Sequence, residues 1–346
     1  VAPPFGVGGL RALARDIGRA ARRRLPRGVI LMYHRIAGPR FDPQSLDVSA
    51  EHFAAHLDLL AQRATVIPLD EFNMQRRRGT LPRRAVAITF DDGYADNLLT
   101  AVPLLAARGL SATVFVATGM LDANREFWWD DAERIAFSTR HLPPPVPSLP
   151  IAWDDADGLP IVADAAHAAW TVLSSHDPTS RHRLYRALCA ALYPLNAESR
   201  ERLLAALRAW AGIEAGARAS HRTVTSDELR QLAAAPGISI GAHSVTHSSL
   251  ARLTDDEQYR ELEDSRATLV QSIERPISSV AYPYGQPDDV SAVTTRAASF
   301  AGFDYAVTVS QQAAWMLSPE FRLPRCIVRN WNGPSFAREL DGWFTS

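Results

Sequence analysis

What most constrains this chain is an alternation of short apolar runs with segments of helical period. Gly28–His34 (GVILMYH), Arg84–Phe90 (RAVAITF), Ser111–Ala117, Ile238–Ala242 and Ile277–Tyr282 are each too short for a typical helix. Rich in β-branched residues, they read as buried strands. Between them lie Ser49–Arg63, with Ser49 as N-cap, and Tyr94–Arg108, closed by Gly109. Helices over Ser226–Ala235 and Asp255–Ile273, and another after Pro287, continue the series, with strands near Tyr305–Val309 and Pro324–Val328. Strand–helix alternation of this kind predicts an α/β fold with a parallel sheet, here a (β/α) barrel, closed or incomplete, of about seven parallel strands. In such a barrel the chemistry gathers at the C-terminal ends of the strands.

The alternation breaks once. Pro-rich His141–Pro150 reads as a linker, and Ala163–Trp210 is rich in Ala, Leu and Arg at helical spacing. We therefore divide the chain into an N-terminal basic helix or arm (1–27), a first barrel part (28–135), a helical insertion (136–222) and a second barrel part (223–346). Arginines interrupt Gly9–Arg24 throughout, so no signal-peptide core is present there. That stretch reads as a docking helix, with peripheral membrane contact as the alternative. No run of about twenty apolar residues spans a membrane, and the expected location is cytoplasmic. A net charge of −1 excludes a general nucleic-acid binder. The runs Arg22–Arg24 and Arg76–Arg78 read as solvated faces, or as patches for anionic lipid or phosphate. Cys189 and Cys326 lack CxxC spacing and imply neither a disulfide framework nor a cysteine zinc site.

Two strings sit at strand ends. Thr89-Phe90-Asp91-Asp92-Gly93-Tyr94 puts adjacent carboxylates directly after an apolar strand, where burial demands a cation or hydrogen-bond donors. The plainer alternative is an Asp cap and turn. Gly241-Ala242-His243-Ser244-Val245-Thr246-His247 places two histidines four apart, on one face if the turn is helical. With Asp92 they make a His, His, carboxylate set that leaves coordination positions open for water and substrate. Asp91 then stands beside the ion as a base for water whose pKa the cation lowers, which argues for amide or ester hydrolysis.

With Tyr282-Pro283-Tyr284-Gly285 at a later strand end, these strings resemble the polysaccharide deacetylases, carbohydrate esterase family four. The resemblance covers roughly 28–135 and 223–330 in the family's order. It implies a deformed (β/α) barrel, Asp91 as general base, and Asp92, His243 and His247 as ligands of a divalent metal. Zinc is expected, with cobalt, nickel or manganese as alternatives. It also implies an oxyanion donor in the backbone N–H near Tyr284. The expected substrate is an amino-sugar-containing small molecule or glycan precursor, deacetylated at nitrogen.

The sequence departs from the family pattern in two places. The arginine expected to orient the base is replaced by Ala281, and the acid histidine is missing from Cys326–Trp331. Arg325 or Arg329 is available for the first role. His34, at the end of the first strand, is available for the second, or is a structural histidine. Tyr94, Tyr282 and Pro283 are expected at the substrate, as are Trp128, Trp129 and Asp130. Aromatic faces stack on sugar CH faces and a carboxylate meets hydroxyls; a core cluster under the insertion is the alternative. Two other readings stay open: an N-deformylase or imide hydrolase on the same metal site, and a degenerate, non-catalytic carbohydrate-binding protein.

Overall fold

The computed structural model describes residues 25–38, 41–138, 142–144 and 165–345. The arginine-rich 9–24 segment and most of 141–150 lie outside them. The apolar runs form the expected strands: β1 (Arg27–Tyr33), β3 (Ala85–Phe90), β4 (Ala112–Val116), β5 (Ile238–Ala242) and β6 (Ser279–Ala281). β3 and β4 are buried along their whole length, as strands covered on both faces must be. β2 (Thr65–Val66), β7 (Tyr305–Val307), β8 (Ala314–Trp315) and β9 (Cys326–Ile327) complete a sheet ordered β7-β6-β5-β4-β3-β1-β8, with β2 on β3 and β9 on β1. Every pairing is parallel except that of β1 with β8.

The chain around 323–328 joins the two ends of this sheet. On one side Thr308 N–H donates to Leu323 O at 2.8 Å, and Leu323 N–H to Ala306 O at 2.9 Å. On the other, β9 pairs with β1, and Val328 N–H donates to Met32 O at 3.0 Å. The sheet is thereby curled into the deformed barrel expected.

Helices cover the outside. α1 (Ala50–Arg63) starts at Ser49, whose hydroxyl accepts the His52 N–H, as predicted. The expected helix over Tyr94–Arg108 is irregular. A π-turn at Asn97–Ala101 leads into α3 (Val102–Ala106), which follows α2 (Leu69–Arg78) in chain order. Pro103 has no N–H for the ladder, and the Val102 N–H reaches back to Asn97 O instead. The irregular start also lets Asn97 donate to His34 O at 2.7 Å.

Between β4 and β5 the chain leaves the sheet. α4 (Trp128–Phe137), at the end of the first barrel part, and α5 (Ser180–Leu192) and α6 (Ala197–Ala211) of the insertion share a second apolar core with Phe41, Tyr94 and Ala117 of the barrel. The end of α5 is tied down: the Tyr193 hydroxyl donates to Asp289, which also accepts from Ser249 Oγ at 2.6 Å. α7 (Ser226–Ala234) and α8 (Asp255–Ile273), each opened by a Thr–Glu capping box, then restore the barrel rhythm. α9 (Ala292–Phe300) and α10 (Gly333–Thr345) finish it.

Arg325, just before β9, points into the barrel and is fully buried. Its guanidinium bonds both Asp91 oxygens at 2.6 Å and Thr89 Oγ1 at 3.1 Å, and lies 5.4 Å from the centroid of Phe115. Gly241 makes room for that ring, since a Cβ there would sit 2.4 Å from it. Arg325→Met should destabilise the protein by about 3–5 kcal/mol, because it strands the Asp91 charge. Adding Asp91→Asn should recover much of that loss. Urea denaturation of both variants tests this, and a single-variant loss below about 1 kcal/mol would contradict the pairing.

Candidate active site

All the candidate strings emerge at one end of the barrel. β3 delivers Asp91 and Asp92, β5 delivers His243, and β6 delivers Tyr284. Asp92 turns back into the barrel through a left-handed backbone (φ 73°), followed by Gly93 with the same φ of 73°.

His243 and His247 do not lie on a helical turn, contrary to the expectation from their spacing. They flank an irregular loop with Ser244 at φ 59° and His247 itself at φ 53°. Left-handed non-glycine residues cost roughly 1–3 kcal/mol and persist only where surroundings dictate them. Here the dictation is visible. Glu261 on α8 accepts the N–H groups of Val245 and Thr246 at 3.0 and 2.9 Å, and the Thr246 hydroxyl at 2.7 Å. Gly119 donates to Val245 O at 2.8 Å, an approach so close that a Cβ there would sit 2.7 Å from the same oxygen.

The result brings Nε2 of His243 and His247 to 3.4 and 3.2 Å from Asp92 Oδ1. Ligand atoms of all three residues lie within 4.8 Å of one another. His243 Nδ1 donates to Ala281 O at 2.7 Å, so its Nε2 carries the lone pair. Both Asp92 oxygens are buried and accept no hydrogen bond. A fully buried carboxylate whose nearest polar neighbours are two imidazole nitrogens, one of them holding its lone pair, fits a divalent cation.

Asp91 stands beside this set, with Oδ2 4.0 Å from His243 Nε2. Burial pushes its carboxyl up, but the Arg325 charge, aided by His243, holds it below the usual carboxylate range. It is therefore an ionised, oriented carboxylate. Of the two arginines considered for that orienting contact, Arg325 makes it. Arg329 bonds the Ser45 carbonyl and holds the loop there.

These groups floor a cavity of about 370 Å³, whose walls include His34, Trp128, Trp129 and Tyr284. The His34 ring makes no hydrogen bond to another described residue, and burial draws its pKa down. Tyr284 (φ 60°) holds its hydroxyl against Trp128 Nε1 at 2.9 Å, while its backbone N–H has no acceptor among the described residues.

Four expected substrate contacts fall elsewhere. Tyr94 and Asp130 are buried behind the cavity, bonded to each other at 2.7 Å, with Trp129 Nε1 donating to the Tyr94 oxygen at 3.0 Å. Their polar ends satisfy one another, so burial is tolerated. Tyr282 is buried in the barrel core, and neither it nor Pro283 lines the cavity. Sequence reading also missed residues. Gln44, Leu46, Val172, Cys189 and Tyr193 line the cavity from loops and from the insertion, and Glu261 braces the histidine loop. No local motif marks any of them; the Glu261 site lacks even a recognisable spacing from His243.

Comparison with known proteins agrees with this geometry. The family model described as polysaccharide deacetylase matches residues 78–141 and 204–306 and leaves out 142–203. YxkH of Bacillus subtilis, described as a polysaccharide deacetylase, is 37% identical over 89 residues, which is 25% of this chain and 30% of that relative. Among solved structures, the Streptococcus pyogenes deacetylase PplD, in complex with acetate, superposes over 91% of this chain and 99% of its own, with a TM-score of 0.57 at 17% identity. A de-N-acetylase from Aggregatibacter actinomycetemcomitans covers 91% of this chain and 100% of its own, with a TM-score of 0.54 at 15% identity. At such identities the two structures establish the shared fold. Asp91, Asp92, His243, His247 and Tyr284 all fall inside the matched segments, and His34 and Arg325 outside them. Over those segments the chain is similar to the polysaccharide deacetylases, and it shares the fold of the solved ones.

Proposed function

We propose that this protein is a metal-dependent hydrolase that removes an N-acyl group, acetyl above all, from an amino sugar or glycan precursor. The observation that carries the reading is Asp91 pinned by Arg325 next to the buried set of Asp92, His243 and His247. The similarity to polysaccharide deacetylases supports carbohydrate deacetylation, and the names of PplD and the de-N-acetylase point to the same bond.

Asp92, His243 and His247 would hold the ion, with zinc favoured by the nitrogen-rich donor set. A divalent ion bound there supplies Lewis acidity, polarising the acyl carbonyl and lowering the pKa of water. Asp91 takes the proton from the attacking water, and Arg325 keeps that carboxylate ionised and correctly turned. The Tyr284 N–H, free of any protein acceptor, meets the oxygen on which negative charge develops. The C–N bond then breaks, and the leaving nitrogen takes a proton. His34 is the group in the cavity able to give it, in place of the histidine missing from the last strand.

Asp91→Asn should lower acetate release by about 10²–10⁴-fold while bound metal, measured by elemental analysis, stays at the wild-type level. Unchanged turnover in that variant would overturn the base assignment. Asp92→Ala should abolish stoichiometric binding of zinc in calorimetric titration. His34→Ala should reduce kcat by about 10²–10⁴-fold with metal retained. A loss of only a few-fold returns His34 to a structural role.

A further inference from the structure

We infer that the amino-sugar substrate carries an apolar substituent, on its acyl group or as its aglycone, seated against the apolar face of the cavity that the barrel and the insertion build together. This rests on the deacetylase reading above. The cavity has two chemically different sides. One holds Asp91, the three candidate ligands and His34. The other combines Met32 and Leu46 of the barrel with Val172, Cys189, Ala190 and the ring of Tyr193 from the insertion.

Polar atoms on the second side are already committed. The Tyr193 hydroxyl donates to Asp289. The Gln44 amide N–H group donates to Tyr185 Oη at 2.7 Å and to Cys189 Sγ at 3.5 Å. Burial pushes the Cys189 thiol up to about 12, so it stays neutral. The Gln44 amide oxygen accepts no hydrogen bond from another described residue and can meet a substrate hydroxyl. Sugar hydroxyls pressed against such a face would lose water and gain nothing, which is costly. A hydrocarbon group loses only unfavourable hydration there.

This face is held in place. α5 is latched through Tyr193, Asp289 and Ser249. The Val172 N–H donates to Pro43 O at 2.8 Å, and Arg329 holds the Ser45 carbonyl. Leu173, next to Val172 in the chain, is 69% exposed. A cavity of about 370 Å³ is at the small end of ligand sites, so it suits one sugar unit with its substituent rather than a run of polymer.

The test uses two series with zinc-loaded protein. One is free glucosamine with N-acetyl, N-butanoyl, N-hexanoyl and N-octanoyl groups. The other is N-acetylglucosamine as its methyl, butyl, hexyl and octyl β-glycosides. Amine release gives kcat/KM, and tryptophan fluorescence, from Trp128 and Trp129 in the walls, gives Kd on the Asp91→Asn variant. In one series kcat/KM should rise, and Kd fall, by up to about fourfold per methylene until the face is covered. The series that responds identifies the source of the apolar group. Ala190→Asp should flatten the gradient, and Ala190→Leu should make it stop at a shorter chain. Amine release from the unsubstituted sugar with no gradient in either series overturns this inference alone. A gradient in Kd with no amine release from any member overturns the deacetylase reading and leaves the apolar face standing.

Discussion

The buried pair between Asp91 and Arg325 is the interaction on which the rest depends. Two charges taken out of water need excellent geometry to be tolerated, and here both carboxylate oxygens meet the guanidinium at 2.6 Å. The pair spans the barrel from the end of β3 to the segment that joins β7 with β1. The stretch of chain that closes the sheet therefore also supplies the cation that keeps Asp91 ionised. Closure and the charge state of that carboxylate are linked by a single contact, and the ring of Phe115, accommodated by Gly241, packs beside it.

Around that pair, strain and packing divide the work. Asp92, Ser244, His247 and Tyr284 all adopt left-handed backbone at the mouth of the barrel. Each needs external support, and the Phe127–Asp130 cluster provides part of it. Phe127 and Trp129 lie edge-on to the His247 ring at centroid distances of 5.4 and 5.0 Å. Trp129 also bonds Tyr94, which bonds Asp130. The Phe127–Asp130 cluster thus couples α4 to the TFDDGY string. Its aromatic faces back the His247 ring, and only its Trp128 and Trp129 reach the cavity.

Much of this was legible before the fold was seen. Strand runs such as Ile238–Ala242 and the Ser49 cap are local, because burial on both faces and an orphan N–H each act on a few consecutive residues. The strings carrying Asp91, Asp92, His243, His247 and Tyr284 are local too, since adjacent residues at a strand end share one destination. The histidine spacing was read through the wrong geometry. A helical period and a left-handed loop both bring residues four apart together, and only Glu261 and Gly119, distant in sequence, select the loop. Tyr94 and Asp130 were assigned to the substrate for a similar reason: side-chain chemistry is visible in sequence, but mutual satisfaction is not.

The sequence by itself determined the alternating strands and helices and the residues gathered at the strand ends. These follow from periodicity and from the cost of burying charge, which act over short stretches of chain. The tertiary structure alone decided that Arg325 rather than Arg329 meets Asp91, that the Ala281 carbonyl orients His243, and that Leu46, Val172 and Cys189 share a cavity with the metal site. Those contacts join residues tens to hundreds of positions apart. No local preference encodes them, because they arise only when the sheet curls and brings its two ends together.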